Sequence, residues 1–139
     1  TGELLPEISE VEGNMLLNEG IGELLDLACG LGTPTSFSNA NAYIGVGDST
    51  TAESASQTDL QASTNKTYKA MAASYPSRSA QTVTWRAVFG SGDANYAWQE
   101  FSVANASSGT GKNLNRKVSN QGTKASGQTW TLDLAITLS

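Results

Sequence analysis

The feature that most constrains the fold is a strict alternation of apolar and polar residues over positions 128–139. The apolar members are large and stand at every second place: Trp130, Leu132, Leu134, Ile136 and Leu138. A two-residue period is typical of a β-strand with one face in the core and the other in solvent. Burying five such side chains stabilises a fold by about 10 kcal/mol before chain entropy is counted. We therefore predict that the rest of the chain supplies a sheet and an opposite layer that cover this strand.

Earlier segments repeat the pattern at shorter length. Strands are predicted at 42–47, 66–71, 81–89, 96–103 and 113–119, with turns rich in Gly and Ser between them. About six strands at roughly ten-residue spacing predict a mainly β chain, an antiparallel β-sandwich or a jelly-roll-like domain over residues 33–139. In the segment 81–89 the inward positions are Val83, Trp85, Ala87 and Phe89.

One helix is expected within residues 13–32. Asn14 can cap its start, and it should run to about Cys29, where Gly30 or Gly32 provides a left-handed end. Cys29 is expected to be a small core residue. Two roles stay open for this helix: it closes one end of the sandwich, or it pairs with symmetry mates. Its predicted apolar face follows a spacing of three and four residues: Leu17, Ile21, Leu24, Leu25 and Ala28.

Residues 1–12 are predicted to form an extended arm. The segment mixes four glutamates with aliphatic residues around Pro6, so it is too apolar for a free tail and too short for a domain. We expect the arm to lie on a neighbouring subunit or on the sheet edge. Its aliphatic residues are Leu4, Leu5, Ile8 and Val11.

Length and charge exclude several classes of protein. A chain of 139 residues suits one domain that buries about two-thirds of its unfolded surface. The net charge of -5 argues against a nucleic-acid partner, because such proteins present a basic surface. No apolar run exceeds the four residues of 70–73, far fewer than the ~20 residues that cross a bilayer, and no basic-then-apolar secretion signal opens the sequence. We expect a soluble protein with no membrane partner.

The chain holds no histidine, which removes the commonest general base and metal ligand and every Ser-His-Asp or Cys-His arrangement. We therefore expect no catalytic residue, no cofactor and no metal. The loops 48–59 and 90–94 offer oxygen ligands, but they lack the dense acidic spacing of a calcium loop. The acids that could form a catalytic pair are predicted to be solvated loop residues instead: Asp48, Glu53, Asp59, Asp93, Glu100 and Asp133.

One concentration of basic residues falls in the region of the last two strands. One interpretation is a sheet edge protected by charge against stray pairing. The other is a contact to an acidic surface of a partner protein, and the sequence does not choose between them. The residues are Lys112, Arg116, Lys117 and Lys124.

Several short motifs occur in an order that resembles a family of small virion proteins of tailed phages, labelled decoration, head or tail-fibre proteins. The motifs are YIGVGDS (43–49), QTDL (57–60), YP (75–76), TWRAVFG (84–90), ANYAW (94–98), LNRK (114–117) and GTKASGQTW (122–130). This resemblance covers about two-thirds of the chain, residues 43–139. It implies a structural virion component that works as a homo-oligomer, and it transfers no catalytic residue.

The resemblance and the missing catalytic groups lead to a first hypothesis. The protein is expected to be a capsid decoration, or cement, protein on the surface of the phage particle, assembled in the host cytoplasm. Its partners would be copies of itself, in a trimer or another ring, and the major capsid protein or another virion protein. The residues expected at these interfaces are Leu4, Leu5, Ile8, Leu17, Ile21, Tyr96, Trp98, Arg116 and Lys117.

The alternative hypothesis is a tail-fibre or adaptor module that binds a glycan on the host surface. It depends on Trp and Tyr residues beside Asp and Asn in loops, since such rings stack on sugars.

Overall fold

The computed structural model describes residues 15–138, which form one short strand, one helix and then seven further strands. The elements are β1 (Met15–Leu16), α1 (Asn18–Cys29), β2 (Tyr43–Gly47), β3 (Lys66–Ala70), β4 (Ser77–Ser79), β5 (Thr82–Phe89), β6 (Glu100–Ala104), β7 (Asn115–Val118) and β8 (Trp130–Thr137). All strand pairs are antiparallel, in a five-stranded sheet of order β1-β7-β6-β2-β3 and a three-stranded sheet of order β4-β5-β8. The predicted mainly β sandwich architecture is confirmed. The predicted arm and Asn14 lie outside the described residues.

The closing strand pairs along its whole length with β5, from Thr82 opposite Thr137 to Phe89 opposite Trp130. Its alternate large residues enter the core as predicted, because Leu132, Leu134 and Ile136 are buried against the other sheet. Two details of the prediction for this strand are wrong. Asp133 is only 3% exposed although the sequence places it on the wet face, and Leu138 lies beyond the strand end and is 52% exposed.

The burial of Asp133 has a direct cause in the neighbouring strand. Arg86, directly opposite, donates from Nε and Nη2 to the two carboxylate oxygens at 2.6 and 2.7 Å. The ring of Tyr75 lies under the same guanidinium, with 4.5 Å from Cζ to the ring centroid. A layer of paired polar side chains therefore covers the outer face of the three-stranded sheet at this point.

Trp98 lies at the centre of the core and is fully buried. Its ring packs edge to face on Phe89, Trp130 and Phe101, with centroids 4.9, 5.0 and 6.1 Å away. Its indole N–H donates to the carbonyl of Ala94 at 2.9 Å. The predicted strand 96–103 is therefore wrong in its first half, because the chain turns there to place Trp98 inside and the strand begins only at Glu100.

The helix begins later than predicted. Met15 and Leu16 are extended and pair with Arg116 and Asn115 of β7, so Leu17 is the residue before the helix and no side chain caps it. The predicted C-terminal end is correct, since Gly30 has a φ of 65° and its N–H donates to the carbonyl of Asp26. Gly permits this left-handed conformation at little cost.

The face of the helix that packs on the sheets differs from the predicted one. Leu24 and Leu27 pack against the core, and Gly20 approaches β7 so closely that a Cβ there would lie 2.5 Å from the Cα of Leu114. Ile21 and Leu25, predicted to be inward, are 39% and 57% exposed. The absence of a side chain at Gly20 lets this side of the helix approach the sheet, and the helix rotates accordingly. The same rotation leaves Cys29 exposed, so its predicted core position is wrong.

Candidate interaction surface

An ion pair between Glu100 of β6 and Arg116 of β7 is fully buried on both sides. Arg116 donates from Nε to Oε1 of Glu100 at 3.0 Å, and its Nη2 lies 2.9 Å from the same oxygen. Gly47 leaves the room for this carboxylate, since a Cβ at that position would collide with it. Glu100 is therefore not the solvated loop acid that the sequence predicted.

The same ion pair fixes the loop 48–62 to the sheet. Glu100 accepts hydrogen bonds from the backbone N–H groups of Gln61 and Ala62, at 2.7 and 2.9 Å. Arg116 donates from Nη1 to the carbonyl of Thr51 at 2.9 Å. The prediction that Arg116 contacts a partner protein loses its basis, because its side chain is completely buried inside the chain.

The remaining predicted acids also have partners. Asp59 binds Lys66 at 2.7 Å and accepts a short hydrogen bond from the Tyr68 hydroxyl. Burial of the Tyr68 hydroxyl is the main cause that raises its pKa, and the hydrogen bond to the Asp59 carboxylate raises it further. Asp93 binds Lys69 at 2.8 Å, and this bond holds the pKa of the Asp93 carboxyl below its usual value. Asp48 accepts a hydrogen bond from the side-chain amide of Asn65, and Glu53 accepts one from the backbone N–H of Val118.

Two acidic residues of α1 face the sheet and fix the helix to the loops. Oε2 of Glu19 accepts a hydrogen bond from the N–H of Asn113 at 2.6 Å. Oε2 of Glu23 accepts from the N–H of Thr35 and from Nδ2 of Asn105, at 3.0 and 2.9 Å. Burial raises the pKa of Glu19, and the bond to Asn113 opposes this shift only in part. The helix is therefore docked by polar contacts as well as by Leu24 and Leu27, which agrees with the interpretation that it closes one end of the sandwich.

The predicted basic concentration is not a single surface patch. Arg116 and Lys124 are buried, and Lys124 donates to the carbonyl of Gly90 at 2.6 Å and to Oδ1 of Asn95 at 2.8 Å. Lys112 is exposed and Lys117 is half-buried. Two of the four charges are thus part of the interior, and neither predicted interpretation of the group describes them.

An apolar cleft opens between α1 and the three-stranded sheet, and its volume is about 190 Å³. Gln81 is its one polar lining residue. A cavity of about 150 Å³ already accommodates benzene, so the cleft has room for an aliphatic side chain. The apolar residues that line it are Leu24, Leu27, Phe37, Val83, Trp85, Leu114, Ile136 and Leu138.

Apolar side chains are also exposed on α1, whose Leu24 and Leu27 form one wall of this cleft, and just after its end. Ile21 and Leu25 form an exposed row one helical turn apart, and Leu31 follows just past the helix with 56% exposure. Leu138 both lines the cleft and stands at its rim. We call the row Ile21, Leu25 and Leu31 the helix row. The cleft and the helix row together form the candidate interaction surface.

The predicted interface residues divide into three groups. Leu4, Leu5 and Ile8 lie outside the described residues, and Ile21 is exposed as an interface residue should be. Leu17 is fully buried in the chain's own core, and the Tyr96 hydroxyl donates inward to the carbonyl of Val46 at 2.9 Å. Trp98 is also fully buried, so its prediction as an interface residue is wrong. Lys117 is engaged within the structure.

Sequence reasoning missed Leu31 and Leu138 as surface residues. Both follow the end of a regular element, Leu31 after the left-handed Gly30 and Leu138 after the last paired residue of β8. That position was the available signal, because the period of a helix or strand no longer assigns a face to a side chain that follows its last residue.

Across residues 15–138, no three His, Cys, Asp or Glu side chains come together in a way that could hold a metal ion. In the same part of the chain, no helix has the length and apolar character needed to cross a membrane. Comparisons of the chain with protein-family models, with curated proteins and with solved structures give no match.

Proposed function

We propose that this chain is a structural protein of a tailed-phage virion, a capsid decoration protein that acts as a homo-oligomer on the particle surface. The observation that carries the proposal is the exposed helix row on α1, the helix whose Leu24 and Leu27 line an open apolar cleft. Exposed apolar side chains and open apolar clefts are typical of sites that contact another protein. The protein would act by holding its partners and not by catalysis.

The motifs that resemble phage virion proteins coincide with the framework of the fold. The segment 84–90 lies in β5, the segment 94–98 carries the central Trp98, and the segment 114–117 carries the buried Arg116. The resemblance therefore concerns residues that build the β body. This supports a shared architecture, and the decoration role is proposed on that basis together with the interaction surface.

The glycan-binding alternative has less support. It depends on tryptophan and tyrosine rings that are open to a sugar, yet Trp85, Trp98 and Trp130 are all buried. The hydroxyls of Tyr68 and Tyr96 are bonded to groups within the chain. No observation on the described surface favours this alternative, and we propose only the decoration role.

Binding to emptied phage capsids tests the proposal. Purified protein should co-sediment with capsids that lack it, and density on the intact particle should follow the capsid symmetry. We expect Leu25→Asp to reduce the bound fraction at least about tenfold, since a charge in an apolar contact costs more than about 1.4 kcal/mol. Val88→Asp is the matched control, because Val88 is exposed to a similar degree, 41%, but faces away from the cleft. Equal binding by the two variants, or no binding by the natural sequence, would contradict the proposal.

A further inference from the structure

We propose that residues 1–14 of one copy occupy the apolar cleft of a second copy, so that self-association proceeds by exchange of the N-terminal segment. This inference rests on the proposed function, because it names the partner that the cleft takes within the homo-oligomer. Three observations carry it: the direction of the chain at Met15, the chemistry of the cleft and the chemistry of the segment.

Followed back to its first residue, Met15, strand β1 runs away from Leu114, which lines the chain's own cleft. The N–H of Leu17 donates to the carbonyl of Leu114, which lines the cleft, at 3.0 Å. Met15, two residues earlier, stands opposite Arg116. Traced backwards, the chain therefore moves about 7 Å along β7 and away from Leu114. A segment that leaves in this direction is placed to reach a neighbouring copy and must reverse to reach its own cleft.

The segment also has the length and composition that the cleft requires. Fourteen residues precede Met15, and the ten residue-to-residue steps from Leu5 to Met15 span up to about 35 Å when extended, enough to cross to a second copy. Leu4 and Leu5 are adjacent aliphatic residues of the size that the cleft accepts, and Pro6 follows them. Proline restricts the residue before it to extended conformations and lowers the entropy lost on binding.

Charge at the mouth of the cleft complements the acidic character of the segment. Arg78 of β4 stands directly opposite Val83, so the two side chains project from the same face. Val83 lines the cleft and Arg78 is exposed, which places a guanidinium at the rim. The segment carries Glu3 and Glu7 on the two sides of its Leu4, Leu5 and Pro6. A bound Leu5 would thus bring a carboxylate towards Arg78.

Disulfide trapping in the full chain tests the exchange. The variant Leu5→Cys with Leu138→Cys is made in a Cys29→Ser background, because Cys29 is exposed and is the one natural cysteine. On oxidation we expect covalent multiples of the 14.5 kDa chain that disappear on reduction. The control pairs Leu5→Cys with Val88→Cys and should remain uncrosslinked. A disulfide confined to single chains, or none, would overturn the exchange, as would equal crosslinking of the control.

Solution mass gives a second readout that does not depend on new thiols. Light scattering of the natural sequence should show an oligomer, and Leu138→Asp should lower its mass to 14.5 kDa while Val88→Asp leaves it unchanged. Leu138 is largely exposed and lies beyond β8, so its replacement leaves the core intact, which tryptophan fluorescence verifies. An oligomer with the same mass in both variants would overturn the inference. A monomer that still binds emptied capsids would overturn the exchange and leave the proposed function standing.

Discussion

The buried pair of Glu100 and Arg116 makes a sharp prediction about non-additive stability. Removing one partner of a fully buried ion pair leaves the other charge without compensation and costs about 3–5 kcal/mol. We therefore expect Glu100→Gln and Arg116→Met each to lower the free energy of unfolding by that amount. In Arg116→Met the carboxylate keeps only backbone N–H donors, chiefly those of Gln61 and Ala62, around its charge.

The double variant, Glu100→Gln with Arg116→Met, holds no buried charge at this site. Its free energy of unfolding should fall by about 2–3 kcal/mol less than the sum of the two single-variant decreases, because the double variant carries no desolvation penalty of an unpaired ion. Equilibrium unfolding in urea, followed by the fluorescence of the three buried tryptophans, measures all four proteins. Sucrose added equally to every sample raises all stabilities and keeps the weakest variant measurable.

A surface pair on the same chain provides the control for this cycle. Lys69 and Asp93 are 2.8 Å apart with side chains 39% and 33% exposed, and such pairs contribute about 1 kcal/mol or less. The cycle Lys69→Met with Asp93→Asn should therefore show a small coupling. Single losses below about 1 kcal/mol at Glu100 and Arg116, or losses that add to within about 0.5 kcal/mol, would refute the reasoning.

Two further predictions concern the helix. Gly20→Ala should destabilise the fold by about 1–3 kcal/mol, because its Cβ would meet the backbone of Leu114. Gly22→Ala has open space around its Cβ and should stabilise the fold by up to about 1 kcal/mol. Thermal unfolding of both variants measures the two changes in stability, and changes of the same sign would contradict the packing described. Burial raises the pKa of Glu19, so this residue's contribution to stability is fully present below pH 4.5 and is lost as the pH rises through the higher pKa of the folded state. Glu19→Gln removes this titration, so unfolding in urea between about pH 4 and 7 should show the variant gaining stability relative to the natural sequence as the pH rises, and a constant difference would argue against it.

The sequence predicted the strands well where a single face decides their burial. In β5 the alternation that ends at Phe89 is matched residue by residue with β8 across eight pairs, so a local period was sufficient. The same reasoning failed at Trp98, where large residues stand on both sides of the segment. Which of them turns inward depends on Phe89 and Trp130, and these neighbours are not adjacent in sequence.

The polar interior could not be predicted from local patterns. Arg116 and Glu100 stand sixteen positions apart, and each alone resembles an ordinary surface charge. Only the pairing of β6 with β7 brings them together, and only Gly47 leaves space for the carboxylate. The rotation of the helix has a similar origin. Gly20 counts as a weak point in a helical pattern, yet it is the position at which the helix meets Leu114.

The attachment of the loop 48–62 has a consequence for its permitted variation. Glu100 and Arg116 bind main-chain groups of the loop, the N–H groups of Gln61 and Ala62 and the carbonyl of Thr51, and every residue other than proline offers the same two groups. Exposed side chains between these anchors, such as Ser54 and Thr58, are therefore not part of this attachment. The loop can change its outward chemistry while keeping its course, which makes it a suitable site for presenting foreign peptides.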